Sequence, residues 1–201
     1  MSYSTKLLDK AVEQFASLPG IGKKTAMKFV LSILKRSTDE VNAFINSINE
    51  LKNIKECKVC HNIADEDLCE ICKNRRRDDS MICVVENIRD LMAIEATAQF
   101  KGLYHVLGGV ISPMDGVGPS ELNIGDLIER TQKGEIKEVI FALSATIEGD
   151  TTAYYIYKKI KSNDGLIIST IAKGIAVGND LEYTDALTLG RSISNRISFT
   201  E

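Results

Sequence analysis

Cys57-Lys-Val-Cys60 and Cys69-Glu-Ile-Cys72, separated by eight residues, are the residues of this chain best placed to do chemistry. Two Cys-x-x-Cys knuckles at this distance can bring four thiolates to one tetrahedral Zn²⁺, each sulfur about 2.3 Å from the metal. Sulfur at every position leaves no room for water or substrate. The expected metal is therefore structural: it holds a small module together and carries out no reaction. Isolated surface thiols or a redox Cys-x-x-Cys would be the alternative, and finding the pair twice argues against both. His61, beside Cys60, could replace a thiolate but reads as a bystander, because four sulfurs suffice. Cys83 lies in the apolar run Met81-Ile-Cys-Val-Val85 and reads as a small buried hydrophobe.

A second constellation is Leu18-Pro-Gly-Ile-Gly22-Lys-Lys-Thr-Ala26. Pro19 stops one helix, and Gly20 and Gly22 permit the positive φ of a tight turn. The next helix then opens with free backbone N–H groups and a positive dipole end, where a phosphate can sit. Lys23, Lys24 and Lys28 lie within a turn and a half of that end. Two helices, a Gly-x-Gly turn and flanking cations form a helix-hairpin-helix, a clamp for the nucleic-acid backbone that ignores sequence. An ordinary helix–helix turn with solvated lysines is the plainer reading. One clamp makes few phosphate contacts, so binding should be weak, salt-dependent and in need of several copies.

Carboxylates supply the third. Glu86 closes the run Ile82-Cys-Val-Val-Glu86, and Asn87 is placed to cap the next helix. Thr146, Glu148 and Asp150 follow the run Val139-Ile-Phe-Ala-Leu143. In a parallel sheet both groups fall at the carboxyl ends of strands, where ligands bind. Acidic residues there hold Mg²⁺ in the Toprim domains of topoisomerases and primases, typically a Glu after one strand and Asp-x-Asp after a later one. Here the later element is Glu148-Gly-Asp150 on a turn entering a helix. Mg²⁺ is accordingly not expected, and helix capping or protein docking is the preferred role. No P-loop, no Gly-x-Ser-x-Gly and no His with a partnered acid or nucleophile completes a reaction. His105 reads as structural, and Tyr154-Tyr155-Ile-Tyr157 as packing rather than a nucleophile.

The elements that must position these groups can be read from periodicity. Leu8, Ala11, Val12 and Phe15 repeat at helical spacing, as do Ala26, Phe29, Val30, Ile33 and Leu34, and Val41, Phe44, Ile45, Ile48 and Leu51. Three helices are expected in the first fifty residues. Residues 55–77 are too short and polar to fold without a metal. Beyond them, strand-length runs at 81–85, 103–107, 136–143 and 166–171 alternate with helical stretches at 88–99, 123–133 and 150–161. That alternation predicts a largely parallel sheet with helices on its faces. A short helix over 184–194 ends the chain. The fold class is α/β in several modules: a helical hairpin region (1–54), a zinc module (55–77), a Toprim-like α/β domain (80–174) and a tail (175–201). The 201 residues are 44% hydrophobic and 26% charged, with net charge −3, so any nucleic-acid binding must be local. No apolar run approaches the ~20 residues of a membrane span. The start, Met-Ser-Tyr-Ser-Thr-Lys, lacks the apolar core of a signal peptide, and with thiols arranged for metal the expected setting is a reducing cytoplasm.

The order of these modules resembles the bacterial recombination-mediator family RecR along essentially the whole chain. The resemblance rests on Leu18–Gly22, the four cysteines, Ile82–Glu86, Ser112-Pro-Met-Asp-Gly-Val-Gly118, Ala145-Thr-Ile-Glu-Gly149 and Gly178-Asn-Asp-Leu-Glu-Tyr183. It implies a non-catalytic DNA-repair factor that acts with RecO, and in many bacteria RecF, to load RecA on gapped DNA. It also implies a ring-shaped homotetramer closed through N-terminal and C-terminal parts, with hairpins lining the opening. Carried onto this chain, the DNA-contacting positions fall on Lys24 and Lys28, while Lys23 stands where relatives often carry Pro. The zinc ligands fall on Cys57, Cys60, Cys69 and Cys72, and the RecO-docking acidic face on Glu86, Glu148 and Asp150. The tail resembles a Walker B-like stretch in which Asn179 replaces a glycine, and no nucleotide is assigned to it. Lys73-Asn-Arg-Arg-Arg77 could add phosphate contacts or be a solvated face. A Mg²⁺-dependent Toprim enzyme acting on DNA phosphodiesters is the competing function.

Overall fold

The computed structural model describes residues 5–133, 135–178 and 180–198. The chain divides into two compact units, one ending at Ile54 and the other beginning at Lys55. In the first, α1 (Lys6–Ala16), α2 (Lys23–Ile33) and α3 (Thr38–Glu50) follow the three periodic stretches. Thr5 caps α1 by accepting from the Leu8 amide, and Ser37 with Glu40 closes a reciprocal capping box on α3. Val12 of α1 packs against Ala26 and Val30 of α2, with Leu8, Phe15 and Ile21 around them. The apolar stripe of α3 is the exception. Phe44, Ile45, Ile48 and Leu51 are all at least 36% exposed. The helix has no buried residue. Phe44 still borders a cleft with Phe15, Phe29 and Ile33 and lies under the Arg36 guanidinium, while Ile45, Ile48 and Leu51 are about half exposed.

The second unit opens with a two-stranded antiparallel ribbon, β1 (Lys55–Glu56) and β2 (Ile63–Ala64), and a single turn of helix, α4 (Glu70–Lys73). Then follow β3 (Asp78–Val85), α5 (Ile88–Ala96), β4 (Gly102–Val106), α6 (Ile124–Gln132), β5 (Glu138–Ala142), α7 (Ile147–Ile160), β6 (Ile167–Thr170) and α8 (Ala186–Ser194). The four strands pair in parallel in the order β4-β3-β5-β6, with Val84 opposite both His105 and Phe141. Alternate residues of β3 serve two cores. Ile82 and Val84 pack with α6 and α7 through Leu127, Ile156 and Ile160, while Cys83 and Val85 pack with Leu91 of α5. Burial on both faces is why these strands read as unbroken apolar runs. Among the described residues, no helix is long and apolar enough to cross a membrane.

One close approach fixes the start of α7. A Cβ on Gly149 would stand 2.1 Å from the Ser144 carbonyl oxygen, so the turn leaving β5 tolerates only glycine there. Gly149→Ala should destabilise the protein by about 1–3 kcal/mol through overpacking. In a chain of this size that is a melting point lower by roughly 2–4 °C per kcal/mol, readable by calorimetry.

Candidate functional site

The four cysteines converge. Their sulfurs all lie within 4.8 Å of one another, and Cys57, Cys60 and Cys69 are buried. Four sulfurs at tetrahedral angles about 2.3 Å from a common centre would be about 3.8 Å apart, and the Cys60–Cys69 separation is 3.5 Å. Charge says the same. The hydrogen bonds from Cys69 and Cys72, with burial, push the Cys60 thiol far above its usual range, while the Cys60 hydrogen bond holds Cys69 low. Sulfurs this close cannot all ionise without a cation between them. The donor set fits one structural Zn²⁺ per chain. His61 lies outside this sulfur group, as expected: its Nδ1 contacts Glu56 and its Nε2 is 2.8 Å from Asp126 Oδ2.

The knuckles are fastened to the sheet. The Val106 amide at the end of β4 donates to the Cys60 carbonyl over 2.8 Å, and Ile71 of α4 packs beside Cys83 and Val85. His105, fully buried in β4, donates from Nε2 to the Asn123 carbonyl at 2.7 Å and accepts from Arg130 Nη1 at 3.0 Å. Burial holds its pKa down at about 3, with the Arg130 and His61 charges adding to the effect, so the ring is a neutral linker, as expected of a structural histidine. Arg130 also donates to the Tyr104 carbonyl at 2.9 Å. Burial lowers its pKa, and the sulfurs of Cys72, Cys60, Cys57 and Cys69 oppose that shift. A cation in this place offsets the net negative charge of a tetrathiolate zinc. Cys83 takes no part: burial pushes its thiol up to about 12.

At the helix junction, Gly20 has φ +80° and supplies the left-handed residue of the turn, closed by an Ile21 amide to Leu18 carbonyl bond of 3.1 Å. Gly22 differs from expectation. Its φ is −79° and ψ 160°, extended backbone open to any residue. Its contribution is the absent side chain: α2 has no side-chain cap, so no side chain competes for the amides of its first turn. Lys23, Lys24 and Lys28 are all exposed.

The carboxylates do not converge. Among the described residues the cysteines are the one group of metal-ligating side chains brought together. Glu86 lies at the switch point where β3 and β5 diverge, in a cleft of about 310 Å³, and accepts from Ser144 Oγ at 3.2 Å. Asn87 caps α5 and Thr146 caps α7. Glu148 and Asp150 are exposed in the first turn of α7, and Asp150 pairs with Lys173 at 2.5 Å. The Lys173 ammonium therefore offsets the Asp150 charge. The basic run after the zinc module splits as well. Lys73 pairs with Glu66 and Glu70, Arg77 pairs with Glu95 and donates to the Gly102 carbonyl, and Arg75 and Arg76 are exposed. Asn179 lies outside the described residues.

Sequence reasoning missed Lys173, Arg130 and Ser144, each of which meets its partner across a long stretch of chain with no local motif. It also misread two tyrosines. The buried stripe of α7 is Gly149, Thr152, Ile156 and Ile160, which puts Tyr154 and Tyr157 on its outer side, 59% and 40% exposed. Tyr155 alone packs, against the core under α6 and α7.

Comparison with known proteins follows this geometry module by module. Family models match as the RecR helix-hairpin-helix over residues 8–52, the RecR zinc finger domain of the four-cysteine type over 54–74, the Toprim domain over 80–172 and the RecR C-terminal region over 174–197. The chain is 61% identical to a protein named Recombination protein RecR from Bacteroides thetaiotaomicron, over 98% of this chain and 97% of that one. Proteins of the same name from Flavobacterium psychrophilum and Porphyromonas gingivalis are 56% and 52% identical, each over 99% of this chain and 97% and 96% of their own lengths.

Proposed function

Because the chain belongs to the RecR family, we propose that it is a DNA-repair recombination mediator that grips DNA through its hairpin, docks partners on its sheet and catalyses nothing. The observation that carries the reading is the start of α2, where an uncapped first turn and three exposed lysines come together. Lys24 and Lys28 take backbone phosphates, with Lys23 beside them. Cys57, Cys60, Cys69 and Cys72 hold the zinc. A RecO-like protein docks at the carboxyl end of the sheet, where Glu86 and Glu148 stand with Asp150 and its partner Lys173, a RecF-like protein joining where a cell has one, so that RecA loads on gapped DNA.

Self-association into a ring supplies the several hairpins that tight binding needs. The half-exposed stripe of α3 supports it, as do Leu187, Ile193 and Ile197 in and after α8, these three each at least 60% exposed. The setting is the reducing cytoplasm, at the nucleoid when DNA is bound.

Size analysis of the purified protein with gapped DNA and a RecO-like partner tests assembly, DNA and docking in one measurement. A larger species should form with each addition. A lone subunit that ignores both would end the proposal. Absence of catalysis has its own check: with Mg²⁺ and supercoiled, nicked or gapped DNA, neither the wild type nor Glu86→Gln should cut or join strands. Turnover in the wild type that vanishes in Glu86→Gln would make it a Toprim enzyme instead.

A further inference from the structure

Tyr154 and Tyr157 project from the outer side of α7 with their rings nearly parallel, centroids 6.3 Å apart and planes 23° from each other. Lys158 Nζ lies 5.1 Å over the Tyr154 ring, and Lys159 Nζ lies 5.6 Å over Tyr155. Neither ring is in the core: Tyr154 is 59% and Tyr157 40% exposed. Charge on this stretch has one sign. Residues 151–163 contain Lys158, Lys159 and Lys161 and no carboxylate; Asp164 follows them, and Asp150 before them is neutralised by Lys173. Two partly exposed aromatic rings with ammonium groups within one helical turn are what bases and their phosphates require: a π-surface accepts any base by stacking, and the cations follow the backbone. A duplex hides its base faces, so this arrangement selects unpaired strands.

We propose that the Tyr154–Tyr157 face of α7 is a stacking platform for single-stranded DNA, with Lys158 and Lys161 on the flanking phosphates. It rests on the reading of this chain as a DNA-binding mediator and extends it from the backbone grip of the hairpin to contact with bases. The two surfaces divide the work: the hairpin holds any nucleic acid, and α7 recognises the unpaired part of a gap.

The test uses the full chain with a twenty-residue oligothymidylate, an abasic strand of equal length and a duplex. Tyr154→Ala with Tyr157→Ala should weaken oligothymidylate binding by roughly tenfold for each ring. Affinity for the abasic strand and the duplex should stay the same, as should the salt slope. Tyr154→Phe with Tyr157→Phe keeps the rings and should bind as the wild type does. The chain has six tyrosines and no tryptophan, so oligothymidylate should quench its tyrosine fluorescence directly, and less so in the alanine protein. Equal binding of oligothymidylate by wild type and alanine variant overturns the proposal. So does an alanine variant that comes apart into smaller assemblies while each subunit still binds single strands, because the face would then be a contact between proteins. Failure of the hairpin reading registers separately, as an unchanged salt slope in a Lys24→Ala, Lys28→Ala protein.

Discussion

Cys57→Ser protein should emerge from dialysis without stoichiometric zinc, with residues 55–77 unfolded and the neighbouring sheet edge loosened. No other substitution proposed for this chain has so large an expected effect. Apparent binding free energies for structural zinc in small finger modules are about 10–16 kcal/mol, comparable with the entire ~5–15 kcal/mol that stabilises a typical domain. The module has little else. Its buried side chains are three of the ligands, Cys57, Cys60 and Cys69, with Asn62 and Ala64, and its ribbon is two residues a side. The damage should not stop there, because the Cys60 carbonyl accepts from Val106 of β4 and Ile71 packs into the α5 face of the sheet. Elemental analysis for zinc, hydrogen exchange over residues 55–77 and 102–107, and a chelator titration of the wild type measure it. Metal-free protein with full helicity and unchanged assembly would remove the structural role.

Lys24→Ala with Lys28→Ala should weaken binding to all DNA sequences alike and flatten the dependence of log affinity on log salt. Each phosphate contact on duplex DNA contributes a slope of about 0.9. Losing one per lysine lowers the slope by about two units in each binding unit, and by a multiple of that in a ring that engages several hairpins at once. Both side chains are exposed, and neither belongs to the Val12–Ala26–Val30 core, so the fold should survive. Fluorescence anisotropy at four or five salt concentrations reads the slope, and circular dichroism confirms the helices. An unaltered slope would take the hairpin out of the mechanism.

The elements of this protein were legible because each carried its own period. Residues 81–85 and 103–107 announced strands through continuous apolar runs, and the sheet buries both of their faces. The four cysteines announced a metal because a thiolate site needs its ligands in local pairs. The hairpin was legible for a similar reason, although only Gly20 uses the conformational freedom that both glycines had suggested; Gly22 matters for its missing cap. What stayed hidden was tertiary. Nothing near Asp150 in sequence points to Lys173, and nothing near His105 points to Arg130, because a pairing of two ordinary charged residues leaves no periodic trace. The tyrosines of α7 were misjudged because helical spacing says which residues share a side but not which side meets the core.

The half-exposed stripe of α3 and the bare residues around α8 carry a consequence for how long such a protein keeps its shape. Water wets these surfaces whenever a subunit stands alone, and the hydrophobic gain that would offset this cost is realised only when neighbours meet. In the proposed ring, durability then grows with the number of copies a cell maintains. Dilution, no less than heat, becomes a way to undo it.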